Sequence, residues 1–142
     1  MPERVPSDHP SVTTHRAHLA RSGGTRRPCL RLPDVDVEPG TIVRLVLDGT
    51  TRHARVDEDA RGLVVRGAYD NRQRAREREG PNRLVEWARR HDRRPDDAVE
   101  VDVVDAGYCY GLRVPGTRAV YDAVERPDDS LSSIAESLAD RE

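Results

Sequence analysis

The sequence contains no lysine and no phenylalanine, and Trp87 is its only tryptophan. It has just two cysteines, Cys29 and Cys109, which excludes the closely spaced framework of small disulfide-rich secreted domains. No apolar stretch approaches the roughly 20 residues of a membrane-spanning helix, and the first ten residues lack the apolar region of a signal peptide. These absences favour a cytoplasmic protein with two buried thiols that act as small apolar groups. A disulfide between the distant cysteines is the alternative.

The missing aromatic residues also limit the kind of core that the chain can form. At 142 residues the chain has the length of one domain. Apolar residues make up 35% of it, so the core must come from Val, Leu, Ala and Tyr side chains. Valine favours strands, because a β-branched side chain fits a pleated and half-buried surface. The composition therefore predicts a mostly β protein of the α+β class.

Two segments share a pattern that predicts a repeated hairpin: PGTIVRLVLDGTTRHARV over residues 39–56 and PDDAVEVDVVDAGYCYGLRV over residues 95–114. Both begin with proline and then place apolar residues at alternate positions, as a half-buried strand requires. Asp48-Gly49 is a strong signal for a tight hairpin turn in the first segment. Two similar hairpins predict a small barrel or pseudobarrel rather than a catalytic scaffold.

The remaining segments complete a single-domain organisation. Residues 1–10, rich in proline and polar groups, are expected to form a flexible leader. Residues 11–126 are expected to form one barrel-like domain with a helical insert at 70–94. Within the insert, residues 82–91 have a helical apolar pattern, whereas residues 70–79 fit either a helix or a solvated loop. Residues 127–142 are expected to form an acidic C-terminal helix or tail.

Charge is unevenly distributed along the chain. Residues 66–94 contain ten Arg and five acidic residues, whereas residues 95–142 contain four Arg and twelve acidic residues. Because arginine can neutralise phosphates and release counterions, the basic middle predicts a nucleic-acid-binding surface. Arginines of the turn at residues 22–27 would assist it. The predicted contacts are Arg26, Arg27, Arg66, Arg72, Arg74, Arg76, Arg78, Arg83, Arg89 and Arg90.

Three other interpretations remain open at this stage. Arginine without lysine is also what a GC-rich genome produces. The arginines of the insert can pair with neighbouring acidic residues and form an ordinary solvated surface. The chain can alternatively be a protein-interaction or oligomerisation module, in which a C-terminal amphipathic helix docks on a protein partner or a second copy through Leu131, Ile134 and Leu138.

The sequence gives no support to an enzyme. The five histidines are scattered, and no Cys/His spacing matches a zinc site. Neither cysteine has the polar surroundings that activate a thiolate nucleophile. The glycine-rich turn at residues 22–27 lacks the Gly-Lys-Ser/Thr ending of a P-loop. We therefore expect no catalytic residues, no metal and no cofactor.

Two resemblances add expectations about fold and source. The segments at 30–33 (LRLP) and 40–47, a short strand followed by a glycine turn and a hairpin, resemble AbrB-like and B3-like DNA-binding barrels. This resemblance implies a barrel that binds DNA, as transcriptional regulators do. The chain departs from those barrels in the short, helix-free link between the two segments.

Three further segments, at 7–33, 64–77 (VVRGAYDNRQRARE) and 82–87 (NRLVEW), resemble an uncharacterised family of small haloarchaeal proteins. That resemblance extends over most of residues 5–115. It implies a haloarchaeal source, but the family has no assigned activity from which a mechanism would follow. The missing lysine agrees with it. The net charge of −2 departs from the strong acidity of most haloarchaeal proteins, and nucleic-acid binders are among the proteins expected to depart in this way.

Overall fold

A computed structural model describes residues 4–21, 27–33 and 35–122, and its main feature is a closed barrel of seven strands. Neighbouring strands of the barrel follow the order β2-β3-β6-β5-β4-β8-β7, and β7 pairs with β2 to close it. The strands are β1 (Arg4–Pro6), β2 (Thr13–Arg21), β3 (Pro28–Arg31), β4 (Ile42–Leu47), β5 (Thr50–Asp59), β6 (Gly62–Val65), β7 (Ala98–Asp105), β8 (Cys109–Arg113) and β9 (Val120–Asp122), and the helices are α1 (Arg72–Glu77) and α2 (Arg83–Arg90).

Both predicted hairpins are present, so the prediction of a small, mostly β barrel is confirmed. β4 and β5 are joined by Asp48 and Gly49, whose φ angles of 52° and 80° are those of the tight turn that suits twisted strands. β7 and β8 form the second hairpin, whose register shifts between Val103 and Asp105. The hairpins meet through a parallel pairing of β4 with β8, and the other barrel pairings are antiparallel.

The alternating apolar positions of both hairpins point into the barrel, as their spacing predicts. Val43, Leu45 and Leu47 of β4 and Val99 and Val101 of β7 are buried in one continuous core. The side chains between them point to the outer wall, because successive residues of a strand face opposite sides. The functional question therefore concerns what this outer wall carries.

Each helix covers a different part of the barrel. The apolar face of α2, formed by Leu84, Trp87 and Ala88, joins the barrel core, and Asn82 caps the helix as its sequence predicts. The helix alternative for residues 70–79 is the one found: α1 packs Ala75 on the outside of β4 and β5. Neither of these helices, the two within the described ranges, is long and apolar enough to span a membrane.

A small ribbon of two strands lies outside the barrel. β1 pairs with β9, and the Ser7 backbone N–H donates to the carbonyl of Ala119. Residues 4–6 are thus tied to a strand that is remote in sequence. The predicted C-terminal helix, with Leu131, Ile134 and Leu138, lies outside the described residues.

Candidate nucleic-acid interface

The predicted phosphate-binding arginines occupy several regions of the surface. Arg66 follows β6, Arg27 precedes β3, and Arg26 lies outside the described residues. The others lie on or next to the two helices: Arg72, Arg74, Arg76 and Arg78 belong to α1 and its C-cap, and Arg83, Arg89 and Arg90 belong to α2 and its last turn. The helices pack on different parts of the barrel, so these arginines do not act as one cluster.

Carboxylates neutralise some of these arginines. Arg83 lies 2.9 Å from a carboxylate oxygen of Asp70 and 2.9 Å from one of Glu86. Arg90 lies 2.6 Å from Asp48. These ion pairs reduce the positive potential that each arginine presents to a polyanion.

Around Asp57 the positive charges outnumber the negative ones, because three guanidinium groups share its one carboxylate. Arg55, Arg66 and Arg78 lie 3.4, 3.1 and 2.6 Å from its oxygens. One negative charge cannot neutralise three positive charges. This part of the outer wall, formed by β5, the end of β6 and the end of α1, therefore keeps a net positive charge.

Arg66 also lines a hollow with a volume of about 490 Å³, which we call the arginine groove. Its apolar floor consists of Ala20, Cys29 and Val64, which form a small buried cluster on the outer side of the barrel. Its arginines come from four parts of the chain: the end of β2, the end of β3, the β5–β6 turn and the residue after β6. The complete lining is Ala20, Arg21, Cys29, Arg31, Asp59, Ala60, Arg61, Val64, Arg66 and Asp96.

A bidentate ion pair organises this groove. The Nη1 and Nη2 atoms of Arg31 donate to the two carboxylate oxygens of Asp59 over 2.8 and 2.5 Å. The Arg31 hydrogen bonds and the backbone N–H of Arg61 hold the pKa of Asp59 well below its ordinary value, so the carboxylate stays charged. The Nε atom of Arg31 is buried and has no hydrogen-bond partner. The groove contains four guanidinium groups and two carboxylates, and its net charge is positive.

Asn82 fixes the position at which Arg66 enters the groove. Its side-chain Nδ2 donates to the carbonyl of Arg66 over 3.1 Å, while its Oδ1 accepts from the N–H groups of Ala68 and Leu84. The helix cap therefore also attaches the chain that leaves β6 to the start of α2. This double role is not visible in the sequence, where Asn82 is recognisable only as a cap.

A second hollow, of about 260 Å³, adjoins the groove. Pro28 and Pro95 line the second hollow, and the residues that follow them, Cys29 and Asp96, line the groove. The second hollow adds three more arginines and one aspartate to this side of the barrel. Its lining is Pro28, Val85, Ala88, Arg89, Asp92, Arg93, Arg94 and Pro95.

The groove thus contains arginines that the sequence analysis missed. Of the predicted contacts, Arg66 lies in the groove and Arg89 in the second hollow, and Arg27 directly precedes Pro28 of the latter. Arg21, Arg31 and Arg61 lie in the groove but come from outside the basic insert. The sequence shows Arg31 alternating with inward-facing Leu30, but its approach to Arg66 depends on the pairing of β3 with β6.

The described residues give little support to a cysteine nucleophile or to a metal site. Cys29 and Cys109 are free and buried, which agrees with the interpretation of both thiols as apolar groups. Burial raises the pKa of both thiols, that of Cys109 to about 11, so neither is prepared as a thiolate nucleophile. Within the described ranges no three His, Cys, Asp or Glu side chains are grouped as metal ligands.

Comparison with known proteins places the chain in a family without assigning it an activity. A family model described as a family of unknown function (DUF7112) matches residues 1–138, and the chain belongs to that family. No curated protein and no solved structure matches the chain.

Proposed function

We propose that this member of the unknown-function family DUF7112 is a small nucleic-acid-binding domain. The carrying observation is the arginine groove, in which Arg21, Arg31, Arg61 and Arg66 surround an apolar floor. The positively charged Asp57 region and the second hollow extend this surface on either side. Among the predicted contacts the proposal therefore gives Arg66 and Arg89 the leading roles.

Phosphate chemistry explains why this surface favours a nucleic acid. Guanidinium groups bind phosphate oxygens through two parallel hydrogen bonds, which a single ammonium group cannot do. Each phosphate that an arginine neutralises also releases condensed counterions, and this release supplies much of the affinity. The two aspartates of the groove, Asp59 and Asp96, reduce the attraction, and Asp59 holds Arg31 in place.

The apolar floor matters if the protein works at high salt, as its resemblance to small haloarchaeal proteins implies. The Debye length falls to about 3 Å at 1 M salt, so exposed charge pairs are heavily screened. Stacking of bases on guanidinium planes above this floor is less sensitive to screening. A cytoplasmic role as a transcriptional regulator is the form of this function that the AbrB-like resemblance implies.

The test compares variants that lose the same charge at different places. Arg61→Ala and Arg66→Ala remove two groove arginines. Arg118→Ala is the matched control, because its side chain is 61% exposed and lines a different hollow. Binding to duplex DNA, single-stranded DNA and RNA is measured across a salt series by fluorescence anisotropy.

We expect the double groove variant to bind any of these ligands at least about tenfold more weakly at low salt, with a salt slope reduced by roughly one per lost phosphate contact. Arg118→Ala should bind like the unmodified protein. A triple variant with Ala at Arg72, Arg74 and Arg76 tests the helical part of the predicted interface. Absence of salt-dependent binding in the unmodified protein at low salt would rule out the proposed function.

A further inference from the structure

A second group of cations lies further along β5, on the side of the barrel that α1 covers. Arg44 of β4 and His53 of β5 are directly paired, and both point to the outer wall because their neighbours Val43, Leu45 and Ala54 face the core. Arg72, the first residue of α1, reaches the same place, where its Nη1 lies 3.4 Å from the carbonyl oxygen of Ile42. Two strands and a helix thus bring three basic side chains together.

This group differs from the other arginine clusters because no carboxylate accompanies it. The Arg44 guanidinium lies over the ring of Tyr108, 5.3 Å from the ring centre. Neither Arg44 nor Arg72 forms an ion pair within the described part of the chain, whereas Arg55, the next outward residue of β5, pairs with Asp57. Positive charges held near one another repel, and this repulsion is relieved when an anion binds between them.

His53 provides independent support for an unsatisfied site. Its Nδ1 atom is buried without a hydrogen-bond partner, and a buried polar atom in that condition destabilises the unliganded protein. Burial, followed by the charges of Arg44 and Arg72, lowers the pKa of His53. The charged groups that act on its ring are Arg44 from β4 and Arg72 from α1. Arg55 is the next outward residue of the same strand, and the backbone of Tyr69 pairs with the backbone of His53.

We propose that Arg44, His53 and Arg72 form a binding site for a compact oxyanion, namely phosphate or the terminal phosphate group of a larger molecule. Two guanidinium groups supply charge-assisted hydrogen bonds, and the imidazole supplies a third donor when it is protonated. This site is distinct from the arginine groove, and it does not depend on the proposed nucleic-acid function.

The direct test is an NMR titration of His53 with inorganic phosphate, compared with chloride at equal ionic strength. A bound phosphate stabilises the imidazolium form, so the pKa of His53 should rise towards or above its ordinary value. The other four histidines should respond to phosphate no more than to chloride. A His53 pKa that is the same in phosphate and in chloride would overturn the proposal.

Variants show which side chains bind the anion. Arg72→Ala should weaken phosphate binding about tenfold, the loss expected for one charge-assisted hydrogen bond. Arg74→Ala is the matched control, since it removes the same charge from the same helix while its guanidinium lies against Gly80. Arg72 is exposed, so its replacement leaves no cavity in the core. Equal affinities of the Arg72 and Arg74 variants would contradict the assignment.

A final comparison identifies the source of the phosphate. Single-stranded oligonucleotides with and without a 5′ phosphate are titrated while His53 is observed. A larger pKa rise with the phosphorylated strand indicates a terminal phosphate, whereas a response to inorganic phosphate alone indicates the free ion. A protein that binds phosphate here but no oligonucleotide anywhere would keep this site and reject the nucleic-acid proposal. A protein that binds oligonucleotides without any phosphate response at His53 would reject this site and keep the nucleic-acid proposal.

Discussion

Two arginine–aspartate clusters on different walls of the barrel show how similar residues take different roles. In the arginine groove, Arg31 holds Asp59 on an open surface, and the Arg31 Nε has no partner. On the wall formed by β7 and β8, Arg113 donates to Asp102 from its Nε over 2.8 Å. Tyr121 of the β1–β9 ribbon reaches Asp102 on that wall, and the Asp102 side chain is closed to solvent.

The closed cluster is fully satisfied. Asp102 is completely buried, with 0% exposure. Besides the Arg113 contacts, its carboxylate accepts hydrogen bonds from the hydroxyls of Thr14, at 2.6 Å, and Tyr121, at 2.5 Å. Arg113 also donates to Glu100. With its carboxylate buried and fully paired, this cluster fastens the ribbon to the barrel. The open cluster retains net positive charge at the surface, which is a property of a binding surface.

The largest expected effect is on the closed wall. Asp102→Asn removes a completely buried charge that pairs with Arg113, and loss of one partner of a buried ion pair costs about 3–5 kcal/mol of unfolding free energy. Since Glu100 still pairs with Arg113, we expect a loss of about 3 kcal/mol, the lower end of that range. Urea denaturation measures this loss. Asp59→Asn is the matched change on the open wall and should destabilise the protein much less, because the Asp59 side chain is 32% exposed and water solvates it. Similar losses in the two variants would remove the distinction between the walls.

A smaller effect is expected from Gly111→Ala, which tests how closely the ribbon covers the barrel. A Cβ atom at position 111 would overlap the ring and hydroxyl of Tyr121. We expect a loss of roughly 2 kcal/mol, typical of an overpacked site. The same substitution in a Tyr121→Ala background should cost far less, since the overlap is gone. Additive losses in the double variant would show that Tyr121 does not lie against Gly111.

The smallest effect concerns the reactivity of the two thiols, one on each wall. Cys29 belongs to the floor of the arginine groove, whereas Cys109 lies near the closed cluster, and burial raises the pKa of both. Alkylation should therefore be slow at neutral pH and faster as the pH rises and thiolate forms. Nucleic acid should slow the alkylation of Cys29 further and leave Cys109 unaffected. The rates are measured by mass spectrometry in Cys29→Ser and Cys109→Ser proteins, and equal protection of both thiols would contradict a ligand in the groove.

Much of the fold was predictable because its signals are local. Alternating valines and leucines identify the strands of both hairpins, Asp48-Gly49 identifies the turn, and Asn82 identifies the start of α2. The β1–β9 ribbon could not be predicted in this way. Its strands have three residues each and pair across almost the whole described chain, so neither has a pattern of its own.

The site was only partly predictable for the same reason. The sequence identifies a basic insert, and Arg66 and Arg89 of that insert do lie in the adjoining hollows. It cannot indicate that Arg21, Arg31 and Arg61 join Arg66, because these residues meet only when β2, β3, β5 and β6 are paired. Nor can it indicate which arginines lie beside a carboxylate, since Asp57 meets Arg78 from 21 positions away.

The sequence by itself determined the strand periodicity, the valine-rich interior and the surplus of arginine in the middle of the chain. Those properties follow from the type and spacing of neighbouring residues. The tertiary structure alone decided which charges are neutralised and which remain available, because the potential at a guanidinium group depends on every charge within a few ångströms. Closure of the barrel sets those distances, and it places one arginine–aspartate cluster beneath a ribbon and leaves the other open to solvent.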